Sequence, residues 1–234
     1  IALSLLFAAP FTMADTFSVA VLDWTPFSDM NRADKGISIA ILDKVMKTQG
    51  HELKLTPMPW ARSLVMLEKQ KVDILPAVWF TEERTKTMSY SDSYAANRLI
   101  FITKNNSEFK YNDTSDLSSR SIGVIRGYAY KDGFLQQPGV RFSEADTLMN
   151  NVKKVQSGRI DMTISDEVVA KTLIPKPMMK TLKFTEKALD EQPLYLTCSI
   201  KNPKCSTIIS AFNTGLEKMK ADGSYNALIA ELGL

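Results

Sequence analysis

The run KVDILPAVWFTEER, residues 71–84, ends an apolar stretch in two large rings, Trp79 and Phe80, and then sets a guanidinium, Arg84, a short way beyond them. Rings and a fixed positive charge at the end of a buried strand point to the wall of a cleft rather than to a core. Three other strand-like stretches end in a similar way. FSVAVL (17–22) runs to Trp24, SIGVI (121–125) to Gly127 and Tyr128, and IDMTIS (160–165) to Asp166. Open α/β sheets take ligands at the carboxyl ends of their strands, so these ends form the candidate site. The rings of Trp24, Trp60, Trp79 and Tyr128 suit stacking on an aromatic ligand or holding a cation over their faces. Arg62, beside Trp60 in PWAR (59–62), is a candidate second anion contact.

Other chemistries have little to work with. One histidine and two cysteines cannot build a standard structural zinc site, and neither a metal nor a cofactor is expected. A Ser-His-Asp triad would have to use His51, but nothing around QGHELKL resembles a nucleophile elbow, and this histidine is expected to face solvent. The net charge is +3, and Lys and Arg are scattered without a basic run, so nucleic-acid binding has little support. Cys198 and Cys205 flank SIKNPK, whose Asn202 and Pro203 favour a turn. In an oxidising compartment an even cysteine count points to one disulfide, with two buried free thiols as the alternative.

The elements that must position these residues follow from periodicity. With 234 residues, 44% hydrophobic and 24% charged, the chain is ordinary globular protein with room for one large or two small domains. Residues 1–14, IALSLLFAAPFTMA, read as the apolar core and cleavage site of a secretory signal, which would start the mature chain at Asp15; a buried N-terminal helix is the alternative. Strands are predicted at 17–22, 52–57, 72–78, 98–103, 121–127, 160–165 and 194–200. Helices are predicted at 36–50, 60–70, 128 to about 137, 144–158, 167–173 and in two C-terminal segments. IPKPMM (174–179) breaks the order with two prolines. Strands separated by helices indicate βαβ units and mostly parallel sheets. SLVMLEKQKVDILPA and LMNNVKKVQSGRIDMTIS share one order of helix, turn, basic residue, aspartate and apolar strand. One copy lies on each side of the polar, turn-rich stretch 104–116, which reads as a boundary between two similar lobes.

These positions carry a likeness as well. The motifs WTPF (24–27), Gly36, KVDILPA, FTEER…SYSDSY (80–94), DLSSRSIGVIRG (116–127), VQSGRIDMTISDEVVA (155–170) and LEKMKADGSYNAL (216–228) occur in an order and spacing that resemble the bacterial extracellular solute-binding proteins of family 3. The resemblance runs over essentially all the mature chain. It implies a two-lobed α/β Venus-flytrap fold of type II with the ligand cleft between the lobes. Lobe 1 would hold residues 15–103 and 194–234, lobe 2 would hold 104–193, and the hinge strands would lie near 101–106 and 190–196. It also implies a periplasmic, monomeric protein that passes a small molecule, an amino acid or related acid, to the membrane permease of an ABC importer.

Its contacts transfer residue by residue. Arg84 matches the arginine of the Thr-x-x-Arg motif that grips the ligand carboxylate, as a planar guanidinium can by forking onto both oxygens; an ion pair with Glu82 or Glu83 is the alternative. Asp166 matches the aspartate that takes the ligand ammonium, with a helix cap as the alternative. Trp24 matches the ring that stacks on the ligand side chain. The chain also departs from the pattern. PAVWFT replaces a hydroxyl-rich stretch with Trp79 and Phe80, and GYA (127–129) replaces a Gly-Ser/Thr-Thr loop. Those losses open the ligand to bulky, apolar or cationic molecules and to molecules that are not α-amino acids. Some relatives are dehydratases, a role for which Asp166 or Glu167 would be the acid, and a receptor for a membrane sensor is a further alternative.

Overall fold

A computed structural model describes residues 15–131 and 133–232; the signal reading of residues 1–14 falls outside them. β1 (Thr16–Val21) buries Phe17, Val19 and Val21. α1 (Ile37–Thr48) follows and turns Ile37, Ile41, Leu42, Val45 and Met46 into the core. Gly36 begins it at φ 94° and ψ 160°, backbone that side chains avoid, and a Cβ there would lie 2.8 Å from the Phe27 carbonyl. β2 (Glu52–Pro57) then runs parallel to β1. α2 (Trp60–Glu68), β3 (Leu75–Trp79), the single turn α3 (Glu82–Thr85) and β4 (Met88–Tyr90) lead into the long β5 (Ala95–Lys104).

The second half repeats the plan. β6 (Ser121–Ile125), β7 (Arg141–Ala145), α4 (Leu148–Gln156), β8 (Met162–Asp166) and α5 (Glu167–Leu173) build it, with β6 parallel to both β7 and β8. The short α6 (Lys176–Met179) and β9 (Leu182–Phe184) precede β10 (Asp190–Ser199), and α7 (Cys205–Ala221) and α8 (Ser224–Leu232) close the chain. One sheet crosses the molecule in the order β3-β10-β5-β8-β6-β7. Its centre is β5. Residues Ala95–Leu99 pair antiparallel with β10, whereas Leu99–Thr103 pair with β8. A disulfide joins Cys198 at the end of β10 to Cys205 at the start of α7, with Cα atoms 5.5 Å apart.

Several expectations need correction. His51 is buried: its ring lies 5.0 Å from that of Phe17, because β2 runs beside β1, and the Asp15 N–H donates to its Nδ1 at 3.4 Å. The helix expected at 128–137 is a loop with one 3-10 turn at Phe134–Gln136, since Gly127 and Gly133 both take positive φ, which interrupts a helix. The helix expected from 144 starts at Leu148, where Thr147 caps it by accepting from the Asn150 N–H; Glu144 and Ala145 complete β7 instead. IPKPMM forms α6, its prolines sitting in the first turn where a missing N–H does no harm. Within the polar stretch 104–116, Phe109 and Tyr111 pack on Phe101 with ring separations of 6.1 and 4.9 Å.

The internal echo has a physical basis. Asp73, before β3, accepts from the Ser18 N–H at 2.9 Å and the Ser18 hydroxyl at 2.7 Å, and the Asp73 N–H donates back to that hydroxyl at 3.0 Å. Asp161, before β8, makes the same three bonds with Ser121, at 2.7, 2.6 and 2.9 Å. Each serine starts or lies near the start of the neighbouring strand, so each clasp fixes where one strand begins relative to the next.

Burial pushes both carboxyls up, but the serine donors outweigh it and hold both below the ordinary aspartate value. A depressed folded pKa adds stability that is present above the ordinary aspartate range and lost as pH falls through the folded value. Asp73 carries the larger share, because it also accepts from Asn202 Nδ2 at 2.9 Å, whereas Asp161 is exposed. Asp73→Ala is therefore expected to lower stability at pH 7 by about 1–3 kcal/mol, Asp161→Ala by less. Asp73→Ala should also lose less stability than the parent on acidification below about pH 4. Urea midpoints at both pH values check this, and equal midpoints for Asp73→Ala and the parent at pH 7 would refute it.

Candidate functional site

Trp79 is the last residue of β3 and is buried. Its indole N–H donates to Asn97 Oδ1 at 2.6 Å, and Asn97 Nδ2 donates to Asp166 Oδ2 at 3.0 Å. Asn97, fully buried in β5, thereby ties the end of β3 to the end of β8. Asp166 accepts two more N–H groups: Arg98 N on Oδ2 at 3.1 Å, and Val169 N on Oδ1 at 2.8 Å, where it caps α5. The capping role weighed against the ligand role is thus present in the structure. Burial raises the Asp166 pKa, and these donors oppose the rise.

Three rings meet above this junction. Trp24 lies 5.8 Å from Trp79 and 6.5 Å from Tyr128, and Trp79 lies 5.5 Å from Tyr128, all edge to face. Trp24 is set by a tight turn in which its N–H donates to the Ser28 carbonyl at 2.9 Å. Burial, assisted by the charge of Asp166, pushes the Tyr128 hydroxyl up to about 12.

The rings divide the cleft. On one side a cavity of about 50 Å³ is lined by Trp60, Arg84, Ala77 and Ala129; on the other, one of about 300 Å³ is lined by Tyr130, Asp23, Asp146 and Asp166. Trp24, Trp79 and Tyr128 line both. Arg84 and Asp166 therefore flank a shared aromatic wall and do not line one chamber.

Arg84 is placed by α3, whose first turn Thr81 caps by accepting from the Arg84 N–H at 3.2 Å. Its guanidinium lies 5.3 Å over the Trp60 ring, and Nη1 donates to the Trp79 carbonyl at 2.9 Å. The ion pair with Glu82 or Glu83 does not form: Glu83 pairs with Lys86 at 2.5 Å, and no carboxylate among the described residues reaches Arg84. Burial pulls the Arg84 pKa below its ordinary value.

Two predicted contacts stand elsewhere. Phe80 is exposed and packs with Tyr90 and Tyr195 at 5.2 and 6.4 Å, because it points away from Trp79 where β3 ends. Arg62 is exposed and lines neither cavity, since residues two apart on a helix do not share a face with Trp60. Asn97 and Tyr130 escaped the sequence reading. The polar Asn97 in AANRLIFIT, two residues before the apolar run Leu99–Ile102, was the one available signal; nothing local marked Tyr130, which sits in the irregular loop after β6. Among the described residues no cluster of His, Cys, Asp and Glu suits a metal ion, and no helix is long and apolar enough to cross a membrane.

The chain is similar to known proteins over most of its length. The "ABC transporter arginine-binding protein 1" of Escherichia coli (strain K12) is 26% identical over 211 residues, which cover 88% of this chain and 85% of that protein. Among solved structures, an ancestral arginine-binding protein bound to arginine superposes with a TM-score of 0.76 at 23% identity, covering 94% of this chain and 98% of that one. The amino acid ABC transporter substrate-binding protein AbpA from Streptococcus pneumoniae, bound to L-arginine, gives 0.74 at 21%, covering 93% and 94%. These neighbours establish a two-lobed α/β binding-protein fold. The family described as bacterial extracellular solute-binding proteins, family 3, matches residues 18–232, and the chain belongs to it.

Proposed function

We propose that the protein captures a small organic solute, an amino acid or a related compound, between its lobes in the periplasm and delivers it to the permease of an ABC importer. The observation that carries this reading is the divided cleft, whose wall takes Trp24 and Trp79 from one half and Tyr128 from the other. A solute that touches both halves completes its contacts only when they close, so it favours the closed form without any bond being broken. Lobe 1 (15–103 and 194–234) and lobe 2 (104–193) pivot on β5 and β10, the two long strands shared by both. Arg84 receives a ligand carboxylate and Asp166 a ligand amine. Support for Arg84 comes from a guanidinium with no carboxylate partner at the edge of the cleft. Glu167 makes a poor general acid, because Lys171 at 2.6 Å and Arg98 at 2.6 Å hold it ionised, and its pKa is lowered accordingly.

All three tryptophans of the chain line the cleft. A saturating solute is expected to quench or shift the intrinsic fluorescence; calorimetrically proven binding with an unchanged spectrum would contradict the site. Arg84→Ala should weaken the best amino acid found in a thermal-shift screen by about a hundredfold while circular dichroism stays unchanged, because a charge-assisted fork is lost. Unaltered affinity would remove Arg84 from the site. For Asp166, serine separates the two roles: Asp166→Ser keeps a cap for α5, whereas Asp166→Ala loses about 0.5–2 kcal/mol of stability with it. Both should lose amine binding alike. If Asp166→Ser binds normally, Asp166 is only a cap.

A further inference from the structure

The larger compartment has a one-sided charge. Its walls hold four rings, Trp24, Trp79, Tyr128 and Tyr130, and three carboxylates, Asp23, Asp146 and Asp166, but no lysine, arginine or histidine. Building on the receptor reading above, we propose that this compartment selects organic cations that lack a carboxylate, amines and guanidines, over α-amino acids.

Each part of the wall favours positive charge. Ring faces attract cations through their quadrupoles. The Tyr128 hydroxyl remains protonated across the physiological range, so that ring stays neutral. Asp166 spends three of the roughly four acceptor positions of a carboxylate on Asn97, Arg98 and Val169. The Val168 N–H bears on the same carboxylate as well, so Asp166 acts on a bound cation chiefly through its charge. Asp23, at the exposed rim, has no ion-pair partner among the described residues, while Asp146 is shared with Arg126 at 3.6 Å.

A carboxylate is poorly received in the same space. It meets three like charges; the Thr25 hydroxyl is already donated to Asp29 at 3.0 Å, and the donors that face it, the hydroxyls of Thr147, Ser165, Tyr128 and Tyr130, are neutral. The nearest guanidinium, Arg84, lies behind the aromatic wall in a cavity of about 50 Å³, with one N–H on the Trp79 carbonyl and its plane on Trp60. An α-amino acid must part Trp79 from Tyr128 to bring its carboxylate to Arg84. An amine without a carboxylate fills the compartment with the wall shut.

Calorimetry on ligand-stripped protein tests this with agmatine, L-arginine, putrescine and L-glutamate. Agmatine and arginine share a chain and a guanidinium and differ by the carboxylate. Agmatine is expected to bind at least as tightly as arginine, with an advantage of about tenfold if opening the wall costs about 1.4 kcal/mol. Glutamate is expected not to bind. Asp23→Asn, which changes only an exposed carboxylate, should weaken agmatine by about two- to fivefold. If arginine binds more tightly than agmatine, or glutamate binds, the cation proposal falls and the receptor reading stands. If none of the four binds, the cation proposal falls; if native mass spectrometry of the protein as purified then also finds no solute, the receptor reading falls with it.

Discussion

The carboxylate of Asp166 is the point through which the rest of the molecule is connected. Its oxygens take N–H groups from β5 twice and from the first turn of α5 once, and through Asn97 it also fixes the indole of Trp79 at the end of β3. A buried carboxylate is tolerable only when such donors surround it, because an unpaired one would be driven to neutralise. The same donors that make its burial possible fix the orientation of the carboxylate. Cap and sheet junction are one object. The two readings of Asp166 that the sequence set against each other are therefore not exclusive.

Around that junction stand rings, and Trp79 and Tyr128 meet edge to face across the cleft. Rings close a gap by dispersion and quadrupole contact, without needing partners for polar groups. They cannot donate to a carboxylate from their faces. The result is a cleft closed by side chains, with the positive group on one side and the negative groups on the other. Membership of the family is shown over nearly the whole chain, residues 18–232.

The scaffold holds the strand ends in place by repetition. The Ser18–Asp73 clasp precedes the strand that ends in Trp79, and the Ser121–Asp161 clasp precedes the strand that ends in Asp166. With both strand starts fixed by the same three hydrogen bonds, the ends project into the cleft from equivalent positions. β5 and β10 then pair along Ala95–Leu99 and Asp190–Leu194, joining the two halves through backbone bonds that any motion between them must respect.

Much was legible in the sequence because it depends on local pattern. Alternation gave β1, short apolar runs gave β3 and β6, helical spacing gave α1 and α7, and the echo around Asp73 and Asp161 pointed to two related halves. Failures came where distant residues decide. Gly127 and Gly133 turned an apparently helical segment into a loop, and β1 buried a histidine whose neighbours in sequence are polar. Strand direction sent Phe80 away from the cleft although Trp79 entered it. The residues at strand ends, Trp79 and Asp166, and just beyond them, Trp24 and Tyr128, were determined by the sequence itself, since strand ends in an α/β sheet converge whatever the details. Their division into two chambers was decided only by tertiary structure. Whether a ring stands between a guanidinium and a carboxylate depends on rotamers and contacts between segments far apart in the chain, and no local pattern encodes that.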